Sequence, residues 1–245
     1  MSIKGKNFII IGATGGIGSG LAREIVSNEG NCFLVSRNSS KLSALSNELE
    51  QPFKVLDSTN LDLYLDLLDD INIIFPQIDG IINCAGSLLL KPIATVNQND
   101  WMQAVNANLT TAIFALKLAS KCFKEQSGSV VLCSSAASSI GLANHEIVSG
   151  CKAAINGMVK SAAASFANKN IRVNAVAPGL TDTPLTSHLF AKERSVEFAK
   201  KLHPLGNRLG VVKDVVNMIL FLIDSDNSWI TGQTIAIDGG LSTIK

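Results

Sequence analysis

Apolar residues along the chain fall into short β-branched runs separated by longer segments with helical spacing. NFIII (7–11), CFLVS (32–36), FKVL (53–56), GIIN (80–83), SVVLC (129–133), IRVNAV (171–176) and TIAI (234–237) are the expected strands. Most are continuously apolar, as strands covered on both faces are. Between them, Gly18–Val26, Lys41–Glu50, Leu61–Phe75, Trp101–Lys124 and Val211–Ile223 repeat apolar positions near every 3.6 residues, the period of a half-buried helix. A further helix is expected over Ile147–Ala167. Strand–helix–strand repeated in this way predicts a Rossmann-type, doubly wound parallel α/β sheet of about seven strands with helices on both faces, because parallel neighbours need crossovers.

The rhythm breaks once. From Ala177 to about Leu209 the stretch APGLTDTP cannot be regular structure and only a weak helical pattern follows, so residues 177–209 are expected to form a substrate-binding loop or lid over the sheet edge. There is no internal repeat, and 245 residues with 47% hydrophobic content suit one domain over 1–245. Charge adds an exclusion: 21 basic against 20 acidic side chains create no field for collecting nucleic acid or anionic lipid. The five cysteines lack CxxC spacing and sit mostly in apolar runs that read as core, so neither a disulfide framework nor a metal site is expected. No stretch approaches the roughly 20 apolar residues of a membrane span. The expectation is a soluble, cytoplasmic protein with a small-molecule partner.

Candidate chemistry begins where the first strand meets the first helix. Gly12, Thr14, Gly15, Gly16, Ile17 and Gly18 form a glycine-rich turn of Gly-xxx-Gly-x-Gly spacing. Such a turn lets backbone approach a pyrophosphate and aims a helix N-terminus at its anionic oxygens. After the second strand comes Ser36-Arg37-Asn38 with no carboxylate nearby, and a guanidinium there suits a ribose 2′-phosphate; NADP(H) is therefore expected over NAD(H).

The spacing of Gly12, Gly16 and Gly18 resembles that of the short-chain dehydrogenase/reductase family, with Ile11 where the family motif TGxxxGxG has Thr. Further marks follow in order: Asn83-Cys84-Ala85-Gly86 is similar to the NNAG stretch, Asn108 to the active-site Asn, Ser135 to the catalytic Ser, Lys152 to the Lys of YxxxK, and Pro178-Gly179 with Thr183 to the loop meeting the nicotinamide. Residues 208–240 resemble the C-terminal signature, so the likeness spans the chain. It implies hydride transfer between a nicotinamide and a carbonyl or alcohol carbon. It further implies that Asp57 contacts adenine, that Asn83, Ala85 and Gly86 line the cofactor site, and that Lys152 holds the nicotinamide ribose. Assembly as a homotetramer or homodimer through the apolar C-terminal segment is implied as well.

One departure stands out. Thirteen residues after Ser135 and four before Lys152, where the family carries its proton-donating Tyr, this chain has Val148; the chain's single tyrosine is Tyr64. Two substitutes are open. Asn144 reads as an N-cap, which starts the helix at His145 and sets residues 145, 148 and 152 on one stripe. The alternative is Ser135 with a water relayed through Lys152. Ser149 and Cys151 lie about 100° off the stripe and read as packing residues. Loss of a positioned acid forfeits about 10²–10⁴ in rate, so two other functions remain: a dinucleotide-binding protein without redox chemistry, acting as a sensor or partner subunit, and a non-redox reaction on a carbonyl compound.

Overall fold

The computed structural model describes residues 2–123, 127–190 and 193–244. Seven strands form one all-parallel sheet: β1 (Asn7–Ile11), β2 (Asn31–Ser36), β3 (Phe53–Val55), β4 (Gly80–Asn83), β5 (Gly128–Cys133), β6 (Ile171–Pro178) and β7 (Thr234–Ile237). Their order is β3-β2-β1-β4-β5-β6-β7. Chain direction across the sheet reverses between β1 and β4, and crevices of this kind, at the carboxyl ends of strands, are where open α/β sheets bind ligands.

Alternate residues of each strand enter opposite cores. Ile9, Ile11, Phe33, Ile81, Val130 and Val173 pack beneath α3 (Tyr64–Ile74), α5 (Thr111–Cys122) and α6 (Glu146–Phe166). Phe8, Ile10, Leu34, Ile82, Val131 and Val176 pack beneath α1 (Gly16–Ser27), α2 (Ser39–Leu49) and α8 (Val212–Ile223). Both faces of the five inner strands are covered, which explains why they read as largely apolar runs; the edge strands β3 and β7 are only partly buried. Phe8, Phe33, Phe114 and Phe123 are almost completely buried; each contributes about 1.5–3 kcal/mol by leaving water.

Four local expectations need correction. The segment foreseen as one helix from Trp101 is α4 (Gln98–Val105), a π-helical turn over Asn106–Thr110, then α5; the end expected at Lys124 lies outside the described residues. A π turn inserts a residue without changing composition, so periodicity runs through it. Leu61–Leu63 is a 3₁₀ turn ahead of α3. Strand β6 continues through Ala177 and Pro178, paired with Ala236 and Ile237; Pro178 keeps its carbonyl for the ladder even though it has no N–H. Finally, α6 starts at Glu146 with His145 at the cap position, because Asn144 adopts a left-handed backbone with φ 63° and serves as the pivot of the preceding turn.

The excursion after β6 is bounded more tightly than its composition suggested. Thr181 and Gly210 form a short parallel bridge, with the Gly210 N–H donating to Leu180 O at 3.0 Å and the Asp182 N–H to Gly210 O at 2.8 Å. Between these anchors lies α7 (Glu193–Lys201). Among the described residues no helix is long and apolar enough to cross a membrane.

Candidate active site

The glycine turn is built for a close approach. Gly12 has φ 79°, and a Cβ there would stand 2.5 Å from the Ala85 backbone nitrogen. A Cβ on Gly18 would collide with the Gly12 carbonyl. On Gly16 it would lie 2.9 Å from Thr183 Cβ, so the loop after β6 already rests against the turn. Only glycine permits this conjunction of turn, helix start and neighbouring loops. The cradle is joined to the end of β2 through Thr14 Oγ1 and Ser36 Oγ, 2.6 Å apart. The backbone of the turn and the N-terminus of α1 therefore offer what a dinucleotide diphosphate needs.

Beyond Ser36, Arg37 is exposed and has no hydrogen bond or ion pair to another described residue. Asn38 caps α2, its side chain accepting from the Lys41 N–H at 2.9 Å. Asp57 lies in the loop after β3, which ends at Val55, and accepts from the Thr59 N–H and hydroxyl at 3.0 and 2.8 Å. Asn83 is buried; its Oδ1 accepts from Ala85 N–H at 3.1 Å, and its amide donates to Thr111 Oγ1 at 3.3 Å. Its side chain thus shapes the β4 turn from inside.

At the carboxyl ends of β4, β5 and β6 opens a cavity of about 520 Å³. Of the residues singled out in the sequence, Ile17, Ala85, Gly86, Asn108, Ser135, His145, Val148, Lys152, Pro178, Gly179 and Thr183 line it. Gly12, Thr14, Gly15, Gly16, Gly18, Arg37, Asp57 and Asn83 lie outside that lining, which leaves the cradle and the cavity as two parts of one edge. Most of the remaining wall is aliphatic or aromatic, including Leu88, Leu142, Leu185, Phe198 and Leu202.

Each polar group in the cavity is held from a different element. Asn108, in the π turn, is buried; its amide donates to Ala104 O at 2.9 Å and Ser87 Oγ at 3.1 Å, and its Oδ1 accepts from Ser87 N–H at 3.2 Å. The π turn is what aims this side chain inward. Ser135 follows β5 and accepts from the Ala137 N–H at 3.2 Å, which leaves its own O–H free to donate. Lys152 is 93% withdrawn from solvent, at 7% exposure, and its Nζ donates to Cys133 O at 2.7 Å. Burial pulls the Lys152 ammonium below its ordinary range, and the neighbouring Cys133, Cys151 and Cys84 oppose that shift. Two of its three N–H bonds remain for the cavity.

A chain of hydroxyls holds α6 to the β5 turn. Ser134 Oγ donates to Asn156 Oδ1 at 2.6 Å, Asn156 donates to Ser138 Oγ at 2.9 Å, and Ser149 Oγ donates to Ala137 O at 2.7 Å. Ser149 therefore positions the helix, while Cys151 is buried packing. Val148, at 4% exposure, offers no proton. His145 has its Nδ1 2.8 Å from Ala143 O, so in the neutral ring Nδ1 carries the hydrogen and Nε2 is an acceptor.

Three site features were missed in the sequence. Cys84, quoted within the Asn83–Gly86 motif but given no role, and Cys133, read with the core, line the cavity. Their strand-end positions next to Asn83 and Ser134 were the available signal. His203, which drew no attention, is buried with Nδ1 donating to Ala199 O at 2.7 Å and Nε2 accepting from the Leu180 N–H at 3.1 Å; it clamps the end of α7 onto the turn after β6.

Comparison with known proteins agrees with this architecture. The family described as Enoyl-(Acyl carrier protein) reductase matches residues 12–242. A 3-oxoacyl-[acyl-carrier-protein] reductase FabG of Thermotoga maritima is 33% identical, covering 98% of this chain and 99% of its own length. A tropinone reductase homolog of Arabidopsis thaliana is 30% identical over 98% and 94% of the two chains. Among solved structures, a short-chain type dehydrogenase/reductase from Mycobacterium ulcerans superposes with a TM-score of 0.92 at 30% identity, covering 99% and 91%. ElxO with NADP bound gives 0.89 at 31% identity, covering 96% and 98%. With the glycine turn, the seven-stranded sheet and the Asn–Ser–Lys cavity in place, the chain belongs to the short-chain dehydrogenase/reductase family of oxidoreductases.

Proposed function

We propose that this protein is an NADP(H)-dependent oxidoreductase acting on an apolar carbonyl or alcohol compound, with its proton carried by a group other than a phenol. The observation that carries this reading is the single cavity in which Asn108, Ser135 and Lys152 converge beside the glycine turn. A Cβ on Gly86 would lie 3.0 Å from Asn108 Oδ1 and 3.4 Å from Lys152 Nζ, so these groups meet at one point of the wall. When bound, the nicotinamide supplies or accepts a hydride.

The turn at residues 12–18 and the N-terminus of α1 would hold the diphosphate, and Lys152 the nearby ribose. Arg37, exposed and unengaged by the described residues, suits a 2′-phosphate; ElxO, similar over nearly its whole length, is a protein with NADP bound. The leucine-rich wall, with Phe198, excludes water and favours an apolar substrate. Ser135 donates its free O–H to the substrate oxygen. A water held between Ser135 and Lys152 passes the proton, and the buried ammonium is a stronger acid than an exposed lysine, which moves it toward the range where general acids work. His145 is the weaker candidate: acting as an acid requires the imidazolium at a helix N-terminus, where the dipole opposes positive charge. The segment between Thr181 and Gly210 acts as a lid latched by His203. Assembly uses α8, the connection after it and the β7 edge; Phe221 on α8 is 40% exposed and Trp229 in the connection 98%.

The test is turnover of NADPH against a panel of apolar ketones, aldehydes and quinones, followed at the cofactor absorbance. Loss in Lys152→Ala and Ser135→Ala with retention in His145→Ala supports the water route. Val148 favours a second reading, a dinucleotide-binding protein without redox turnover; silence across the panel together with tight NADPH binding would establish it.

A further inference from the structure

Cys84 and Cys133 lie at the ends of neighbouring parallel strands, each one residue past the paired Asn83 and Leu132. Both belong to the same core cluster, so both side chains leave the sheet on one face. Adjacent strands stand about 4.8 Å apart, within the roughly 4.4–6.8 Å between Cα atoms that a disulfide spans. The two thiols lie close enough to perturb one another's ionisation, and both line the cavity. Cys32 and Cys151 are buried outside that lining, and Cys122 is remote from it in sequence and element, at the end of α5.

The surroundings differentiate the two sulfurs. The neighbouring Cys84 thiol holds the Cys133 thiol below the ordinary thiol range, helped by the Lys152 charge and opposed by burial. The Cys84 thiol is held above it by Cys133 and by burial. A pair in which one sulfur is the nucleophile and its neighbour holds a proton has the elements of a resolving dithiol.

We propose that Cys84 and Cys133 form an oxidation site in the wall of the cavity, at which a hydroperoxide converts the dithiol to a disulfide joining the ends of β4 and β5. The Cys133 thiolate attacks the terminal oxygen of the hydroperoxide. The O–O bond breaks, sulfur gives up two electrons and becomes a sulfenic acid, and the alkoxide takes a proton and leaves as the alcohol (water, for hydrogen peroxide). The Cys84 sulfur then displaces hydroxide from the Cys133 sulfur; the S–S bond forms, and the hydroxide leaves with the Cys84 proton as water. Two thiols and one hydroperoxide give one disulfide, one alcohol and one water. Oxidation removes the Cys133 thiol beside Lys152 and ties together the two strand ends that carry Ala85 and Ser135, so turnover falls and is restored by dithiothreitol.

The experiment uses the whole chain, reduced, freed of reductant, and treated with stoichiometric hydrogen peroxide. It is then denatured, alkylated with iodoacetamide, digested and mapped by mass spectrometry. The expected result is a Cys84–Cys133 cross-linked peptide, alkylation confined to Cys32, Cys122 and Cys151, and reversal by dithiothreitol. In Cys84→Ser the cross-link disappears and dimedone captures a sulfenic acid at Cys133; Cys84→Ala serves if the serine variant does not fold, and the wild-type map stands without either. Alkylation of Cys84 and Cys133 as full as in the untreated protein, or peroxide damage confined to Cys122, overturns the proposal. The effect on turnover rests on the proposed oxidoreductase reading, whereas the peptide map does not. A protein that cross-links without turning over substrate keeps the site and loses that reading, and one that turns over without cross-linking does the opposite.

Discussion

The glycine-turn cradle and the cavity wall sit on the same edge of the sheet and are made in opposite ways. The cradle is backbone: its requirements are a left-handed φ at Gly12 and the exclusion of Cβ atoms at Gly12 and Gly18. The wall is side chains brought from separate places, among them the β4 turn, the π turn, the β5 turn, α6 and the segment after β6, with Ile17 from α1 and Leu241 from beyond β7. A backbone site admits almost no substitution, because any added atom collides with main chain that cannot move. A side-chain site admits one exchange at a time, since Val148 fits where a larger group would stand and the fold survives. The contrast explains how the chain retains the family's cradle while carrying a valine four residues before Lys152.

Substitutions can break or sharpen this contrast. Lys152→Met should have the largest effect, lowering turnover by about 10²–10⁴ while leaving a measurable NADPH titration; unchanged turnover would remove the wall from the chemistry. Gly12→Ala puts a Cβ 2.5 Å from Ala85 N and forces a left-handed alanine, at a cost of about 1–3 kcal/mol before the clash is counted. Dinucleotide affinity should fall by about 100-fold, read by fluorescence titration, with the thermal midpoint checking that the fold is kept. Val148→Tyr should raise turnover on the order of 100-fold, the low end for a positioned acid. No gain would mean that Ser135 and Lys152 are not arranged to use a phenol. Arg37→Ala should weaken NADPH by about 10-fold with NADH unaffected, and an equal loss for both would detach Arg37 from the 2′-phosphate.

The smallest effect is on pH-dependent stability. Burial holds the Lys152 ammonium below the ordinary lysine value of 10.5. The folded protein therefore gives up this proton at a lower pH than the unfolded chain does. Between the two values the unfolded chain binds more protons, so stability rises with pH across that window and the desolvation penalty is fully present below it. Urea midpoints measured from neutral pH toward 10.5 should show this rise in the parent and a flatter curve in Lys152→Met.

Legibility in the sequence followed the same division. All seven strands were readable, the five inner ones because burial on both faces makes them apolar without alternation, the edge strands β3 and β7 from their β-branched and aromatic residues although they are only partly covered; β6 was underestimated only because Pro178 looks like a break. The glycine turn was readable from sterics. The π turn was not, and with it went the reason Asn108 points inward, because inserting one residue into a helix leaves spacing nearly unchanged. The cap of α6 was misplaced by one residue, since an asparagine that caps and one that takes a left-handed φ look alike in a string of letters. Cys84 and Cys133, 49 positions apart in the chain, become neighbours only through the pairing of β4 with β5.

What the sequence determined by itself was everything governed by local covalent geometry and by the period of burial: the parallel layered fold, the turn that admits only glycine, and the absence of a phenol before Lys152. Tertiary structure alone decided which side chains share a cavity, which cysteines end neighbouring strands, that Lys152 gives one of its hydrogens to the Cys133 carbonyl, and that His203 clamps the segment between Thr181 and Gly210. The reason is physical. Steric limits and hydrophobic periodicity act between residues near in the chain and leave their mark in composition, whereas contacts and burial between distant residues exist only after strands pair and helices pack across them.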